Sequence, residues 1–372
     1  MKYKVRFVNP QKQYKDHKKE ILKTIDDVFS RGDLIMRKDL DEFESKIAKF
    51  VGTKYAVGVN SGTDALSLSM EAALIGPGDE VITVGHTFMA SISAIYHQGA
   101  KAVLIDAGED FNMNPGLIEK AITPKTKAIE PVHLNGRVCD MDKIMGIAKK
   151  HNLIVIEDAA QSLGGKFKTR DGKWKIAGSF GLAGCFSLYP FKLLGAFGDA
   201  GVVVTNDAET ARRVRLLRYN GEDRQDRNFY FHGYTALLDN VQAALLNVKL
   251  KYLPRWLLRR REIAGLYQKG LEGVPQVKTP HFKDSRFYDV YQNYVIRAQK
   301  RNELVEYLKN NGVETLISWP VPMYKQPVMQ PNNIMLPETE RICKEIVSLP
   351  MYPELKNSEV AYVIKCIKSF YS

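Results

Sequence analysis

The run Leu153-Ile154-Val155-Ile156-Glu157-Asp158-Ala159-Ala160-Gln161-Ser162 decides the fold. Four apolar residues in a row, three of them β-branched, make a strand buried on both faces, and two acids close its carboxyl end. Runs of the same kind stand at 81–84, 102–106 and 128–132, with helical patterns at 88–97 and 141–149 between them. Gly76-Pro77-Gly78-Asp79 and Asn112-Met113-Asn114-Pro115 supply turns. Apolar strands alternating with helices predict a mostly parallel central sheet sandwiched by helices, an α/β fold. Residues 200–205 (AGVVVT) read as a strand that closes the sheet.

Past Lys192 the texture changes. Long charged helical stretches are expected at 207–219 and 236–271. A short strand at 294–297 follows, with helices at 301–310, 338–347 and 358–369. The expected organisation is a large domain over 1–240, which includes an N-terminal helical segment, and a smaller C-terminal α+β domain over 241–372. A length of 372 residues suits two units at roughly 150 residues each.

Composition excludes several classes. With 45% hydrophobic and 26% charged residues the chain is not disordered. Its four cysteines form no CxxC pair and read as reduced core thiols. Residues 81–100 carry no charge, but two His, a Gln and internal Gly make them a buried strand and helix, not a membrane span. The N-terminus lacks an apolar run suited to a signal peptide, so a cytoplasmic protein with no membrane partner is expected. The formal charge of +12 favours anionic partners. No helix-turn-helix, zinc-ligand or RNA-binding motif accompanies it, so nucleic acid is not expected and a phosphorylated small molecule is. His86 and His133 fall at strand ends without metal-ligand spacing, so no metal is expected. Two arginine clusters, at 212–218 and 255–261, read as solvated faces or interface partners.

Three elements carry chemistry. Asn60-Ser61-Gly62-Thr63-Asp64 joins a strand-like YAVGV to an apolar helix, a geometry that offers free N–H groups and a hydroxyl to a phosphate. Asp158 stands at the carboxyl end of its strand, where ligands of open α/β sheets bind. Lys192 follows Cys185-Phe186-Ser187-Leu188-Tyr189-Pro190-Phe191 in a stretch uncharged from Ile176 onward, and desolvation there makes its amine available as a nucleophile. Singly, each has a commoner use: a helix cap, another cap, and a lysine whose stem is buried and whose head reaches water. Together they are what pyridoxal 5'-phosphate requires.

GTDAL, EDAAQS, GSFG-x-AGCFSLYPFK and LGAFGDAGVVVTND resemble the DegT/DnrJ/EryC1/StrS family of sugar aminotransferases over nearly the whole chain. The resemblance implies a fold type I enzyme dependent on pyridoxal phosphate. It implies a homodimer with active sites at the interface, and amino transfer from L-glutamate to a keto sugar, usually nucleotide-linked. Position by position it makes Lys192 the Schiff-base lysine and Asp158 the partner of the pyridine nitrogen. Gln161 falls near the phenolic oxygen, Gly62, Thr63 and Ser187 on the phosphate, and Phe88 against the ring. Thr235, in Gly233-Tyr234-Thr235-Ala236-Leu237-Leu238-Asp239, stands where many members place an Asn that reaches the partner subunit's phosphate. Leu237 replaces an arginine of that motif, Arg37 a glycine near the start, and Ser318 a histidine. These departures leave the sugar open. Members with His for the lysine run a dehydration. A sugar dehydratase or isomerase on the same scaffold, or a transaminase of a keto sugar without a nucleotide, is the alternative, and Lys192 favours transamination.

Overall fold

The computed structural model describes residues 3–280, 284–329 and 333–372. Its centre is a seven-stranded sheet in the order Tyr55–Val59, Gly201–Thr205, Ala183–Ser187, Ile154–Asp158, Thr126–Ile129, Glu80–Val84 and Lys101–Ile105. Gly201–Thr205 runs antiparallel to both its neighbours, and every other pairing is parallel. The strands are apolar because both faces are covered, and each face of the sheet contributes to its own hydrophobic cluster. Helices Gly62–Ala72 and Met89–His97 pack together on one face. The parallel arrangement sends the carboxyl ends of the strands to one edge, which gathers the segments after Val84, Asp158 and Ser187.

Differences from the sequence reading have local causes. The strand expected at 128–132 is Thr126–Ile129, because Pro131 has no N–H to continue the ladder and restricts Glu130 before it. The stretch 236–271 is two helices, Asn240–Leu250 and Leu253–Leu271, with Pro254 in the first turn of the second. The helix expected at 338–347 ends at Glu345, and Ile346–Leu349 is a strand. That strand pairs with Tyr294–Ala298, which pairs in turn with Val277–Lys278, and helices Leu253–Leu271, Arg301–Asn310 and Asn357–Tyr371 enclose a third cluster around them. Val5 bridges Val313 and joins this cluster. Among the described residues no helix is long and apolar enough to cross a membrane.

The arginine clusters are not uniformly solvated. Arg218 is buried, pairing with Glu44 at 2.5 Å and donating to the Gly58 carbonyl at 2.7 Å. Arg260 is buried too, and donates to the carbonyls of Tyr291, Gln292 and Met351. Arg261 lies over the Tyr288 ring. Arg218 thus ties helix Lys38–Val51 to strand Tyr55–Val59, and Arg260 braces loops whose carbonyls it satisfies.

Candidate active site

The segments at the carboxyl ends of strands Tyr55–Val59, Glu80–Val84, Thr126–Ile129, Ile154–Asp158 and Ala183–Ser187, together with Trp319, enclose a cleft of about 440 Å³. Lys192, Asp158, Gln161, Gly62, Thr63, Ser187 and Phe88 all line it, although they span 131 positions of sequence. Thr235 does not.

At one end the turn from Tyr55–Val59 into helix Gly62–Ala72 forms a cradle. Ser61 caps the helix, its hydroxyl accepting the Asp64 N–H at 3.0 Å and donating to the Asp64 carboxylate at 2.8 Å. Capping therefore uses Asp64 and leaves the N–H groups of Gly62 and Thr63 without a protein acceptor among the described residues. Helix N-termini attract anions through such groups. Gly62 is required by space: a Cβ there would come within 2.7 Å of the Ser187 Cβ and 3.0 Å of its Cα. Gly62→Ala is accordingly expected to push the turn off Ser187, weakening phosphate binding roughly tenfold and destabilising the fold by about 1–3 kcal/mol. Isothermal titration with pyridoxal phosphate and a thermal melt check both effects.

Asp158 marks the other end. It is buried, its Oδ2 accepts the Ser91 hydroxyl at 2.8 Å, and its Oδ1 accepts the Ala160 N–H at 3.1 Å. Ser91 in turn shares a hydrogen bond with Thr87 at 2.8 Å. Gln161 is oriented by the Asn135 N–H, which donates to its Oε1 at 2.8 Å and leaves the side-chain NH₂ free to donate. Asn135 holds φ at +57° to make that approach.

Lys192 lies between these ends, half-buried, with its stem in the wall and its ammonium ringed by protein. Among the described residues nothing accepts a hydrogen bond from it. Burial pulls it below the ordinary lysine range, and the charge of Asp158 opposes that pull. Its loop is anchored from behind: the buried Lys249 donates to the Gly195 carbonyl and lies over the Phe197 ring. Burial lowers Lys249 to about 8.

Phe88 is 57% exposed and lines the cleft. Trp319 tilts against it at 6.3 Å between centroids and meets His86 edge-on at 5.5 Å. Trp319 holds φ at +54°, which costs a bulky residue energy and is maintained by the packing around it. The break of pattern at Ser318-Trp319-Pro320 placed this stretch on the substrate side of the pocket, and within it Trp319 is in the wall while Ser318 is not. His133 stands between the cleft-lining Val132 and Leu134 but is not itself in the wall. It is fully buried, with Nδ1 accepting the Cys139 N–H at 3.1 Å and Nε2 meeting Glu157 at 2.9 Å. Glu157 further accepts N–H groups of Gly178, Phe180 and Gly181, so the pair is a pillar on the sheet's opposite face. Arg37 pairs with Asp33 at 3.8 Å and Leu237 bridges Val59, both outside the cleft.

An anion cradle, a buried carboxylate and an unpaired amine between them fit the phosphate, the ring nitrogen and the aldehyde of pyridoxal phosphate. The sequence profile of the DegT/DnrJ/EryC1/StrS aminotransferase family matches residues 15–368. The chain belongs to that family. Aminotransferases of the DegT family depend on pyridoxal phosphate. One relative, a pleiotropic regulatory protein of Geobacillus stearothermophilus, is 42% identical over 96% of each chain. The dTDP-3-amino-3,4,6-trideoxy-alpha-D-glucose transaminase of Streptomyces venezuelae is 37% identical over 99% of this chain and 96% of its own. The solved structure of S. venezuelae DesV, in complex with a ketimine intermediate, superposes with a TM-score of 0.95 at 36% identity, covering 100% of this chain and 99% of its own. The DegT/DnrJ/EryC1/StrS chain described here is thus a fold type I transaminase.

Proposed function

We propose that the protein transfers an amino group from L-glutamate to a nucleotide-linked keto sugar, a 3- or 4-keto-6-deoxy sugar, with pyridoxal phosphate held in the cleft. The reaction serves surface-polysaccharide or secondary-metabolite sugar biosynthesis. The observation that carries this reading is Lys192: an amine surrounded by protein and without a partner, between an anion cradle and a buried carboxylate. When bound, the cofactor supplies an aldehyde that condenses with amines and a ring that withdraws electrons. Gly62 and Thr63 N–H groups and the Ser187 hydroxyl bind its phosphate. Phe88 covers one ring face, the Gln161 NH₂ donates to the phenolic oxygen, and Asp158 keeps a proton on the ring nitrogen. Lys192 would hold the aldehyde end, and its amine would serve as the base that takes up the proton of the donor's α-carbon.

Thr235 is exposed, donates to Asn220 at 3.4 Å, and lies outside its own chain's cleft. We assign it to the phosphate of a second subunit in a homodimer, where its hydroxyl stands in for a longer amide. Light scattering of the purified protein tests the dimer. The function itself is tested by incubating the loaded enzyme with glutamate and a panel of keto sugars, with and without nucleotide, and measuring 2-oxoglutarate and amino sugar by mass spectrometry. Conversion of a sugar with no release of 2-oxoglutarate would instead support dehydration or isomerisation.

A further inference from the structure

The strand Thr126–Ile129 is followed by a glutamate, Glu130, with no exposed surface. Its main chain is fully used: the N–H donates to the Ile82 carbonyl at 2.8 Å and the carbonyl accepts the Thr83 hydroxyl at 3.0 Å. Its carboxyl is not. Both oxygens are enclosed by protein, and neither has a hydrogen-bond partner among the described residues. A carboxylate stripped of water without a partner is far costlier than the neutral acid, so Glu130 carries a proton in this setting. Burial pushes it well above the carboxylate range, the charge of Asp158 adds to that push, and the nearby Thr83 hydroxyl opposes it.

Its position gives the buried acid a role. Ala128 pairs with Ile154 and Ile129 with Val155, which sets Glu130 level with Ile156, two residues before Asp158. Residues two apart on a strand share a face, and this face is covered by helix Met89–His97, whose Ser91 holds Asp158. The elements around Glu130 contribute few charges. Glu80–Val84 brings Thr83, Met89–His97 brings Ser91, and Gly62–Ala72 brings Ser69, all neutral. Ala183–Ser187 brings the Cys185 thiol, which burial pushes up, with Asp158, Glu130 and Glu157 adding to the effect. Glu157 itself points to the opposite face, tied to His133. Asp158 is therefore the charge that reaches Glu130 on its own face.

We propose that Glu130 is a positioning residue that couples the protonation of this layer to occupancy of the ring-nitrogen site, releasing its proton to solvent when a cation settles against Asp158. A cation there cancels the field of Asp158 that opposes ionisation of Glu130. By reciprocity, ionised Glu130 tightens the hold on that cation. The coupling rests on the cofactor reading above, since the cation is the protonated ring nitrogen.

The test uses the full-length protein, pyridoxal phosphate as the probe, and Glu130→Gln as a neutral mimic of the protonated acid. Infrared spectra of the cofactor-free wild type should show a protonated-carboxyl band that E130Q lacks. Adding cofactor at alkaline pH should bleach that band. Dissociation constants of the two proteins should agree near neutral pH and diverge on the alkaline side, E130Q becoming roughly five- to tenfold weaker. Absence of the acid band in the cofactor-free wild type overturns the proposal. A pH-independent ratio of the two constants overturns it as well, with the cofactor reading intact. If neither protein binds pyridoxal phosphate, the cofactor reading fails and the coupling with it. Should E130Q not fold, the wild-type band and its response to cofactor decide the matter.

Discussion

Lys192→Ala is expected to lower the turnover of glutamate by at least about 10⁴-fold, because a positioned proton-transfer group alone accounts for up to ~10⁴ and the role proposed for this one adds the bond to the aldehyde. No neighbour can replace it: the stretch from Ile176 to Phe191 is uncharged, and Lys249 is engaged with the Gly195 carbonyl. The half-reaction with glutamate, followed by 2-oxoglutarate release in a single turnover, reads the loss. Wild-type release by the mutant would sink the assignment. Stability should move the other way. A lysine pulled below its ordinary value binds fewer protons folded than unfolded, so it costs stability at neutral pH and progressively less as pH rises through its titration. Lys192→Ala should therefore melt no lower than wild type at pH 7, and any advantage should shrink towards pH 10. An inactive variant that is also unfolded would show a structural role for the lysine instead.

How much of this could be read beforehand depended on whether the signal was local. Ile154–Asp158 and its parallel neighbours were legible because burial on both faces leaves an unbroken apolar run. The hairpin Lys166–Lys168 with Trp174–Ile176 was not, being two short, lysine-bearing strands whose third partner is Phe287–Tyr288, more than a hundred residues away. The first half of Ile346–Leu349 was absorbed into a helix, since four residues, three of them apolar, are too few to show a period of their own. Lys192, Asp158 and Gly62 stood out because each breaks or ends an apolar pattern. Glu130 breaks one too, between Ile129 and Pro131, and went unread because no partner in sequence pointed to it. Trp319 reaches the cleft only through tertiary packing, and the burial of Arg218 and Arg260 depends on carbonyls contributed by segments distant in sequence. Net charge was a poor guide throughout: the cleft is lined by one cation, Lys192, and two acids, Asp158 and Asp199.

Asp158→Asn carries the second large effect. Asparagine preserves size: its oxygen can accept the Ala160 N–H, and its NH₂ then faces the Ser91 hydroxyl, which can turn to accept, so the helix Met89–His97 and the loop after the strand stay in place. What disappears is the negative charge, and with it the ability to hold a proton on the ring nitrogen. kcat/KM for glutamate should fall by roughly 10²–10⁴, the range found when a preorganised electrostatic or proton-handling group is removed. Ser91→Ala keeps the charge and removes one hydrogen bond, so its loss should be smaller, about tenfold, in line with about 1–1.5 kcal/mol for such a bond. A second readout separates charge from shape. The charge of Asp158 raises Lys192 against the pull of burial, so its removal must lower Lys192 further. In the cofactor-free protein the pH dependence of Lys192 acylation should therefore shift to lower pH in D158N, and stay put in S91A. If D158N acylates with the wild-type profile and keeps wild-type kcat/KM, Asp158 is a helix-facing structural acid and the cleft's polarity has been read backwards.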